Sequence, residues 1–160
     1  MSYVKAIAGR YGIKINSAIL NHARKLSKVM PLRQAQSAAR HVLVVDDDAA
    51  VRTSVKFALE LEGFEVRDFA SGEELLADGR IPPFSCLVVD YYMPGMNGLE
   101  LVARLRDRNT ALPAVLITSS DDNLRNLAAA FGVVMVDKPM LGVPLLDAVR
   151  AAFGGETTSS

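Results

Sequence analysis

The 160-residue sequence contains one cysteine, Cys86, and no tryptophan. A single cysteine excludes an internal disulfide and is typical of proteins from a reducing compartment. No apolar run reaches the roughly 18 residues that a membrane-spanning helix needs. None follows a basic start, as the apolar part of a secretory signal peptide would. We therefore expect a cytoplasmic protein that makes no membrane contact.

Acidic residues are missing from one part of the chain only. Residues 1–40 carry eight Lys or Arg and no Asp or Glu, whereas residues 41–160 carry ten basic and eighteen acidic residues. We predict a boundary near His41, with a basic leader at 1–40, a folded domain at 41–153 and a flexible tail at 154–160. The leader's composition is typical of a targeting peptide, of a nucleic-acid-binding arm and of a poorly ordered segment, and these alternatives stay open.

Short apolar runs alternate with segments of helical spacing in the folded domain. The runs are rich in β-branched residues and occupy 42–45, 64–69, 86–89, 114–117 and 133–136. Apolar residues three and four positions apart mark the helices between and after them; the markers are Val51, Val55, Leu59, Leu99, Val102, Leu105, Leu124, Leu127, Ala128, Leu145, Leu146, Val149 and Phe153. This alternation predicts an α/β fold, a doubly wound five-stranded parallel sheet with helices on both faces.

Polar residues follow four of these runs. Asp46 and Asp47 follow the first run, Asp90 the third, Thr118 the fourth, and Lys138 stands just beyond the fifth. In a parallel sheet the carboxyl ends of the strands meet at one edge, so these side chains should lie together. Clustered carboxylates repel one another unless a cation intervenes, and oxygen ligands favour Mg²⁺. Taken singly, the aspartates have a simpler explanation as turn residues, Thr118 as a strand-end hydroxyl that bonds the backbone, and Lys138 as an exposed charge. Together they suit a phosphoryl group.

Four motifs at these strand ends resemble a known family. VLVVDDD, VVDYYMPGMNG, VLITSS and VDKPM occur in the order and spacing of the receiver domain of bacterial two-component response regulators. The resemblance covers about residues 41–153. It implies a flavodoxin-like sheet with strand order 2-1-3-4-5, and a phosphoprotein that acts in phosphorelay signal transduction.

The resemblance also implies roles for individual residues. Asp90 matches the phosphoacceptor that reacts with phosphohistidine on a sensor histidine kinase or phosphotransfer protein. Thr118 and Lys138 match the residues that contact the phosphoryl group, and the peptide bond from Lys138 to Pro139 is expected to be cis. Four groups match the Mg²⁺ ligands of the family: the carboxylates of Asp46, Asp47 and Asp90, and the backbone carbonyl of Tyr92.

Asp48 completes the acidic run but matches no ligand. It stands where the first helix of the domain should begin, so we predict that it caps this helix. Ser71 is expected to cap the second helix, with Glu74 three residues on, as in a capping box. Cys86 lies inside an apolar run and is expected in the core. His22 and His41 have no ligand-type neighbours and receive no role.

Three features depart from the family pattern. Met135 stands at the switch position, where receivers usually carry Tyr or Phe. The interval from Thr118 to Lys138 is shorter than usual by about two residues, which alters the fourth helix and the loop after it. Tyr92, two positions after the acceptor, is bulky enough to obstruct the water that hydrolyses the acyl phosphate, and we hypothesise a long-lived phosphoryl state.

We therefore expect a phosphoaccepting module that is not an enzyme in the ordinary sense. The partners expected are a kinase or phosphotransfer protein and a second copy through the face of helix 4, strand 5 and helix 5; no nucleic-acid binding is expected within residues 41–153. The main alternative is a degenerate receiver that acts as a phosphorylation-independent interaction module. A metal-dependent phosphatase is disfavoured because Tyr92 stands where its second aspartate should be. A DNA-binding regulator that uses the leader, and a fragment of a longer regulator, also stay open.

Overall fold

The computed structural model describes residues 39–108, 111–119, 121–138 and 142–154. Within these ranges five strands alternate with five helices, as the sequence predicts. In chain order they are β1 (His41–Val45), α1 (Ala49–Leu61), β2 (Glu65–Phe69), α2 (Gly72–Asp78), β3 (Ser85–Asp90), α3 (Gly98–Arg108), β4 (Ala114–Thr118), α4 (Asp122–Ala130), β5 (Val134–Asp137) and α5 (Val143–Ala152).

The strands form one parallel sheet in the order β2-β1-β3-β4-β5. This is the predicted flavodoxin-like order, so the fold class is confirmed. Every residue of β3 and β4 is buried, which explains why both strands are continuous apolar runs. The edge strand β2 has one exposed, three half-buried and one buried residue. Its position at the edge accounts for its weak apolar pattern.

Alternate residues of each strand enter two separate cores. Leu43 and Leu87 face one layer, where they meet buried residues of α2, α3 and α4. Val42 and Val88 face the other layer, together with Cys86 and buried residues of α1 and α5. Cys86 is therefore a core residue, as predicted, and burial raises the pKa of its thiol to about 12. The two-residue period of the strands thus builds a core on each face of the sheet.

The helix starts follow the predicted caps closely. Asp48 precedes α1, and its carboxylate accepts hydrogen bonds from the backbone N–H groups of Ala50 and Val51. Ser71 Oγ accepts from the N–H of Glu74, while the Glu74 carboxylate accepts from the N–H of Ala70. Both caps are confirmed. In the standard capping box the Glu74 carboxylate would accept from the N–H of Ser71 itself, whereas here it accepts from the N–H of Ala70, one residue earlier.

Two predicted strands begin one residue too early. The sequence pattern starts the second strand at Phe64 and the fifth at Val133. The N–H of Phe64 instead donates to the carbonyl of Leu59, and that of Val133 donates to the carbonyl of Ala128. The N–H of each residue therefore caps the C-terminus of the preceding helix. It donates to that helix and not to a neighbouring strand, so the strand begins one residue later.

Several expectations fall outside the described residues. These are the structure of the leader up to residue 38, that of the tail from residue 155, and the peptide bond to Pro139. The domain limits at 40 and 153 stay predictions. In the part of the chain that the structure describes, no helix is both long and apolar enough to cross a membrane.

Candidate functional site

Two carboxylates lie at the centre of the carboxyl edge of the sheet. Asp46 follows β1 and Asp90 ends β3, and these strands are neighbours. The N–H of Asp46 donates to the carbonyl oxygen of Phe69 at 3.2 Å, which extends the ladder between β1 and β2 by one bond. Asp46 is 2% exposed and Asp90 is 4% exposed. The strands therefore hold both acids below the surface, where charged groups are normally avoided.

The cluster includes a third acid and has the composition of a cation site. One ligand-type oxygen from each of Asp46, Asp47 and Asp90 lies within 4.8 Å of the other two, and Asp47 is exposed. Among the described residues, Asp46 Oδ2 and Asp90 Oδ1 are buried without a hydrogen-bond partner. Orphaned buried carboxylate oxygens are costly, and a hard cation would satisfy both. The three carboxylates thus fit Mg²⁺.

Lys138 supplies a positive charge beside the acids. Its Nζ lies 3.2 Å from Asp90 Oδ2, and the side chain is about one-third exposed. The backbone N–H of Lys138 donates to the carbonyl of Thr118 at 2.8 Å, which fixes the lysine to the end of β4. The structure thus brings together four of the predicted site residues, three acids and one lysine, although they are up to 92 positions apart in the sequence.

The electrostatics of the two buried acids are unequal. Burial raises the pKa of Asp46, and the hydrogen bond from the N–H of Asp48 opposes this shift only in part. Burial also raises the pKa of Asp90, opposed by the charge and hydrogen bond of Lys138. Repulsion from Asp90 and Asp47 also raises the pKa of Asp46, and repulsion from Asp47 raises that of Asp90. Lys138 is in direct contact with the Asp90 carboxylate but not with that of Asp46, so the two acids differ in their local charge although the pKa of each is raised.

Thr118 lies at the same edge but directs its hydroxyl elsewhere. It is fully buried at the end of β4, next to the end of β3. Its Oγ1 donates to the carbonyl oxygen of Ser119 at 3.2 Å. The residue is therefore in the predicted place, while its hydroxyl is hydrogen-bonded to the backbone.

The loop from β3 to α3 approaches Asp90 closely. A Cβ on Gly98 would lie 2.6 Å from the carbonyl oxygen of Asp90, so only glycine fits there. Asn97 Oδ1 accepts from the N–H of Glu100, and the Glu100 carboxylate accepts from the N–H of Asn97. This reciprocal cap starts α3 beside the site, and it gives the MPGMNG motif a structural reason.

The two tyrosines after Asp90 differ in burial. Tyr91 packs against the core, and its N–H donates to the carbonyl of Ile117 at 2.9 Å. Tyr92 is 59% exposed, and its ring meets that of Tyr91 edge to face at 4.8 Å. The side chain of Tyr92 therefore lies at the surface, on the loop that follows Asp90. Its role as a carbonyl ligand stays a prediction.

The predicted switch and partner face has an apolar surface. Met135 is half-buried and packs on the core layer beneath α4. Next to it Val134 is 53% exposed, and Phe131 at the end of α4 is also exposed. Asp137 points to this side and pairs with Arg125 of α4 at 3.1 Å. The expected homodimer through this face stays a prediction.

One contact at the site was not predicted from the sequence. Arg52 of α1 donates from Nη1 to the backbone carbonyl oxygen of Asp46 at 2.7 Å. A signal did exist, because a positive charge near the N-terminus of a helix opposes the helix dipole and needs a local reason. Arg52 follows Asp46 by six positions, and this spacing belongs to none of the four motifs.

The fold and the site together identify the class of this chain. A flavodoxin-like sheet that gathers polar groups at its carboxyl edge follows the general rule for open α/β proteins. Residues 42–150 match the family model of the response regulator receiver domain, so the chain belongs to that family. This confirms the family that the four motifs indicate, and it is consistent with two-component signalling.

Curated relatives and solved structures agree with this assignment. The chain is 36% identical to the transcriptional regulatory protein FixJ of Azorhizobium caulinodans over 71% of this chain and 54% of that protein. It is 36% identical to nodulation protein W of Bradyrhizobium diazoefficiens over 69% of this chain and 50% of that protein. It thus spans about half the length of these two relatives.

Two solved structures have the same fold. The structure of FixJ-N matches with a TM-score of 0.67 and 30% identity, covering 73% of this chain and 95% of that one. The chemotaxis protein CheY4 of Vibrio cholerae matches with a TM-score of 0.66 and 28% identity, covering 72% and 99%. The coverage shows that the likeness takes in nearly the whole of both solved chains.

Proposed function

We propose that Asp90 accepts a phosphoryl group from a phosphohistidine on a sensor histidine kinase or phosphotransfer protein. The observation that carries this proposal is the setting of Asp90. Its carboxylate is buried, pairs with Lys138 through one oxygen and leaves the other without a partner among the described residues. A buried carboxylate with a lysine beside one oxygen and no hydrogen-bond partner for the other suits a nucleophile.

The residues that would hold Mg²⁺ are the three clustered acids and the backbone carbonyl of Tyr92. When bound, Mg²⁺ neutralises negative charge between the carboxylates and the phosphoryl oxygens. Asp46 and Asp90 each contribute a buried oxygen that lacks a partner among the described residues. This inventory is the support for a Mg²⁺-dependent reaction.

The transfer itself needs little from the protein beyond position and charge. An oxygen of Asp90 attacks phosphorus, the P–N bond to the donor imidazole breaks, and the imidazole nitrogen keeps the bonding electrons and takes up a proton. Lys138, already 3.2 Å from the acceptor, balances the added negative charge. Thr118 leaves its bond with the Ser119 carbonyl and donates to a phosphoryl oxygen, and this movement begins the conformational output.

The chain acts in this scheme on itself alone. It catalyses its own phosphorylation and the later hydrolysis of its acyl phosphate, so we propose that it is not an enzyme with a separate substrate. Turnover of a small phosphoester by the chain would contradict this part of the proposal.

The test is intact-mass spectrometry after incubation with acetyl phosphate and Mg²⁺. We expect one added phosphoryl group, and we expect none in an Asp90→Asn variant or in the presence of EDTA. An unmodified mass for the native protein would overturn the proposal. A modification that survives Asp90→Asn would show that another residue is the acceptor.

A degenerate receiver is the second candidate, and Met135 favours it. This flexible thioether replaces the aromatic ring expected at the switch position, and it already packs on the core. Such a module would bind its partner in a phosphorylation-independent way. Mg²⁺ binding without any mass increase would support this candidate over the first.

Tyr92 is proposed to lengthen the lifetime of the phosphoryl group. Its exposed ring stands two positions after the acceptor and can restrict the approach of water. In a Tyr92→Asn variant we expect faster loss of the phosphoryl group, measured by mass after the phosphodonor is removed. An unchanged rate would contradict this role.

A further inference from the structure

Arg52 connects the acidic loop, residues 46–48 after β1, to the neighbouring strand β2. Its Nη1 donates to the backbone carbonyl oxygen of Asp46 at 2.7 Å, and its Nε donates to Asp68 Oδ2 at 3.2 Å. Asp68 lies on β2, while Asp46 follows β1. The Arg52 side chain is 18% exposed. One guanidinium group therefore joins the end of the strand that carries Asp46 to the strand beside it.

The carbonyl of Asp46 needs this donor. The ladder from β1 to β2 ends with the bond from the Asp46 N–H to Phe69, so the next carbonyl along β1 has no strand partner in that ladder. Asp46 is almost fully buried, and a buried carbonyl without a donor is costly. Arg52 supplies the donor, and the fixed fork of its guanidinium sets the direction of the bond.

Asp68 orients this guanidinium and is shared with a second cation. Its Oδ1 accepts from Lys56 Nζ at 2.8 Å, while its Oδ2 binds Arg52. No contact joins Lys56 to the acidic loop in the hydrogen bonds and ion pairs of the described residues. The two cations therefore share one carboxylate, and only Arg52 reaches Asp46. This provides a matched pair of variants.

We infer that Arg52 is a positioning residue for Asp46: it fixes the backbone of Asp46, and thereby the Asp46 carboxylate, in the orientation that cation binding needs. The inference rests on the proposed function, because it assigns the cation to that site. It makes a counterintuitive prediction. Arg52 is a positive charge near a cation site, so removing it should tighten Mg²⁺ binding if charge alone mattered; a positioning role predicts weaker binding.

The experiment compares Arg52→Ala with Lys56→Ala in the full chain. Each variant removes one positive charge and one ion pair with Asp68. By isothermal calorimetry with Mg²⁺ alone, we expect affinity to fall about tenfold in Arg52→Ala, a typical loss when a group that supports a metal ligand is removed. We expect Lys56→Ala to bind Mg²⁺ like the native protein. Thermal unfolding of both variants shows whether each is folded.

Arg52→Lys is the second variant, and it retains the charge. A lysine has a compact point charge instead of a fork, so it should not hold both the carbonyl and Asp68 in the same geometry. We expect weaker Mg²⁺ binding here as well. Native affinity in Arg52→Lys, or equal affinities in Arg52→Ala and Lys56→Ala, would overturn the inference.

A metal-free measurement separates this inference from the proposed function. The N–H of Asp48 donates to Asp46 Oδ1 at 2.9 Å, so it reports on the orientation of that carboxylate. In EDTA, we expect this amide to exchange with solvent faster in Arg52→Ala than in Lys56→Ala. If this difference appears but the native protein shows no saturable Mg²⁺ binding, the metal proposal fails while the positioning role stands. Equal exchange rates would contradict the positioning role.

Discussion

Strand β3 carries a buried polar residue at each end, and the two ends differ in how that residue is satisfied. At the amino end the Ser85 hydroxyl donates to the carbonyl oxygen of Pro82 at 2.6 Å. At the carboxyl end Asp90 is buried to a similar degree, yet Oδ1 has no hydrogen-bond partner among the described residues. β3 therefore has a hydrogen-bonded hydroxyl at its amino end and, at its carboxyl end, a carboxylate with one oxygen that lacks a partner among the described residues.

The contrast extends to the two edges of the sheet. Of the four buried polar residues in the described ranges, only Ser85 is at the amino edge; Asp46, Asp90 and Thr118 are at the carboxyl edge. Unsatisfied buried charge lowers stability, whereas a satisfied hydroxyl contributes to it. The carboxyl edge therefore gives up stability in the metal-free protein, and a bound cation would restore it. This is the pattern expected of a binding site.

Alanine substitutions of two glycines, one near each edge, should differ most in their effect on the free energy of unfolding. In Gly98→Ala the new methyl group would meet the carbonyl oxygen of Asp90 at 2.6 Å, so the backbone at the site must shift. We expect a loss of about 3 kcal/mol in the free energy of unfolding, as in severe overpacking. Urea unfolding measures it.

Gly132 before β5 is the control for this substitution. It has a positive φ of 63°, and a methyl group added there would meet no atom within 4 Å, so Gly132→Ala should cost only the backbone strain, about 1 kcal/mol. Equal losses in the two variants would show that the close approach at Gly98 does not matter.

Asp46→Asn should stabilise the metal-free protein. The pKa of Asp46 is raised in the folded state, chiefly by burial, so its ionised form is less stable when folded than when unfolded. Removing the charge should therefore raise the free energy of unfolding in EDTA. The amide oxygen can still accept from the N–H of Asp48. Urea unfolding in EDTA tests this, and a decrease would contradict it.

Addition of Mg²⁺ should stabilise the native protein more than the Asp46→Asn variant. A ligand that binds only the folded state stabilises it in proportion to its affinity. We expect Mg²⁺ to raise the midpoint of the native protein more than that of Asp46→Asn, because the variant loses one of the three clustered carboxylates. An equal rise would remove Asp46 from the cation site.

Ser85→Ala should have the opposite effect in the absence of metal. It removes the donor to the Pro82 carbonyl at the satisfied end of β3. We expect a loss of about 1 kcal/mol, the usual net contribution of one hydrogen bond. The same urea experiment measures it, with and without Mg²⁺, and the two losses should agree. A gain in stability would contradict the proposed contrast, in which the buried polar group at the amino edge stabilises the fold and those at the carboxyl edge do not.

Asp68 should give the smallest effect, and one that depends on pH. Lys56 and then Arg52 lower its pKa from the ordinary value of 3.8. A lowered pKa contributes stability that is fully present above 3.8 and is lost as the pH falls through the folded-state value. Because the site is partly exposed, Asp68→Asn should cost about 0.5–1 kcal/mol at neutral pH.

The comparison of Asp68→Asn with the native protein should be made at neutral and acidic pH. The difference in unfolding free energy should shrink as the pH falls from the ordinary pKa of aspartate towards the lowered folded-state value, since the carboxylate is protonated first in the unfolded state and that favours unfolding. A difference that stays constant down to low pH would show that Asp68 acts through neutral hydrogen bonds alone.

Local patterns were enough to predict most of the fold. Apolar runs located the five strands, and Asp48 and Ser71 were recognised as caps because capping depends on residues within a few positions. The errors at Phe64 and Val133 have the same origin. Both residues are apolar and precede a strand, but each N–H closes the preceding helix. Hydropathy does not distinguish these two uses of one residue.

The site was predictable in its members but not in its contacts. The rule that carboxyl ends of parallel strands meet at one edge was sufficient to group Asp46, Asp90 and Lys138. The carbonyl contact of Arg52 was not predicted, and the bond from the Thr118 hydroxyl to the Ser119 carbonyl is the one expected of that residue taken singly. Such contacts depend on side-chain direction and on the packing of α1 against the sheet.

Periodicity and strand-end chemistry thus specified the sheet, its two cores and the set of acids, because these depend on the order of apolar and polar residues along the chain. Folding alone decided which acid is paired and which oxygens are left without a partner. Lys138 pairs with Asp90 and not with Asp46, although both acids are buried. That choice depends on distances of a few ångströms between residues far apart in sequence, and at such distances electrostatic energies change steeply.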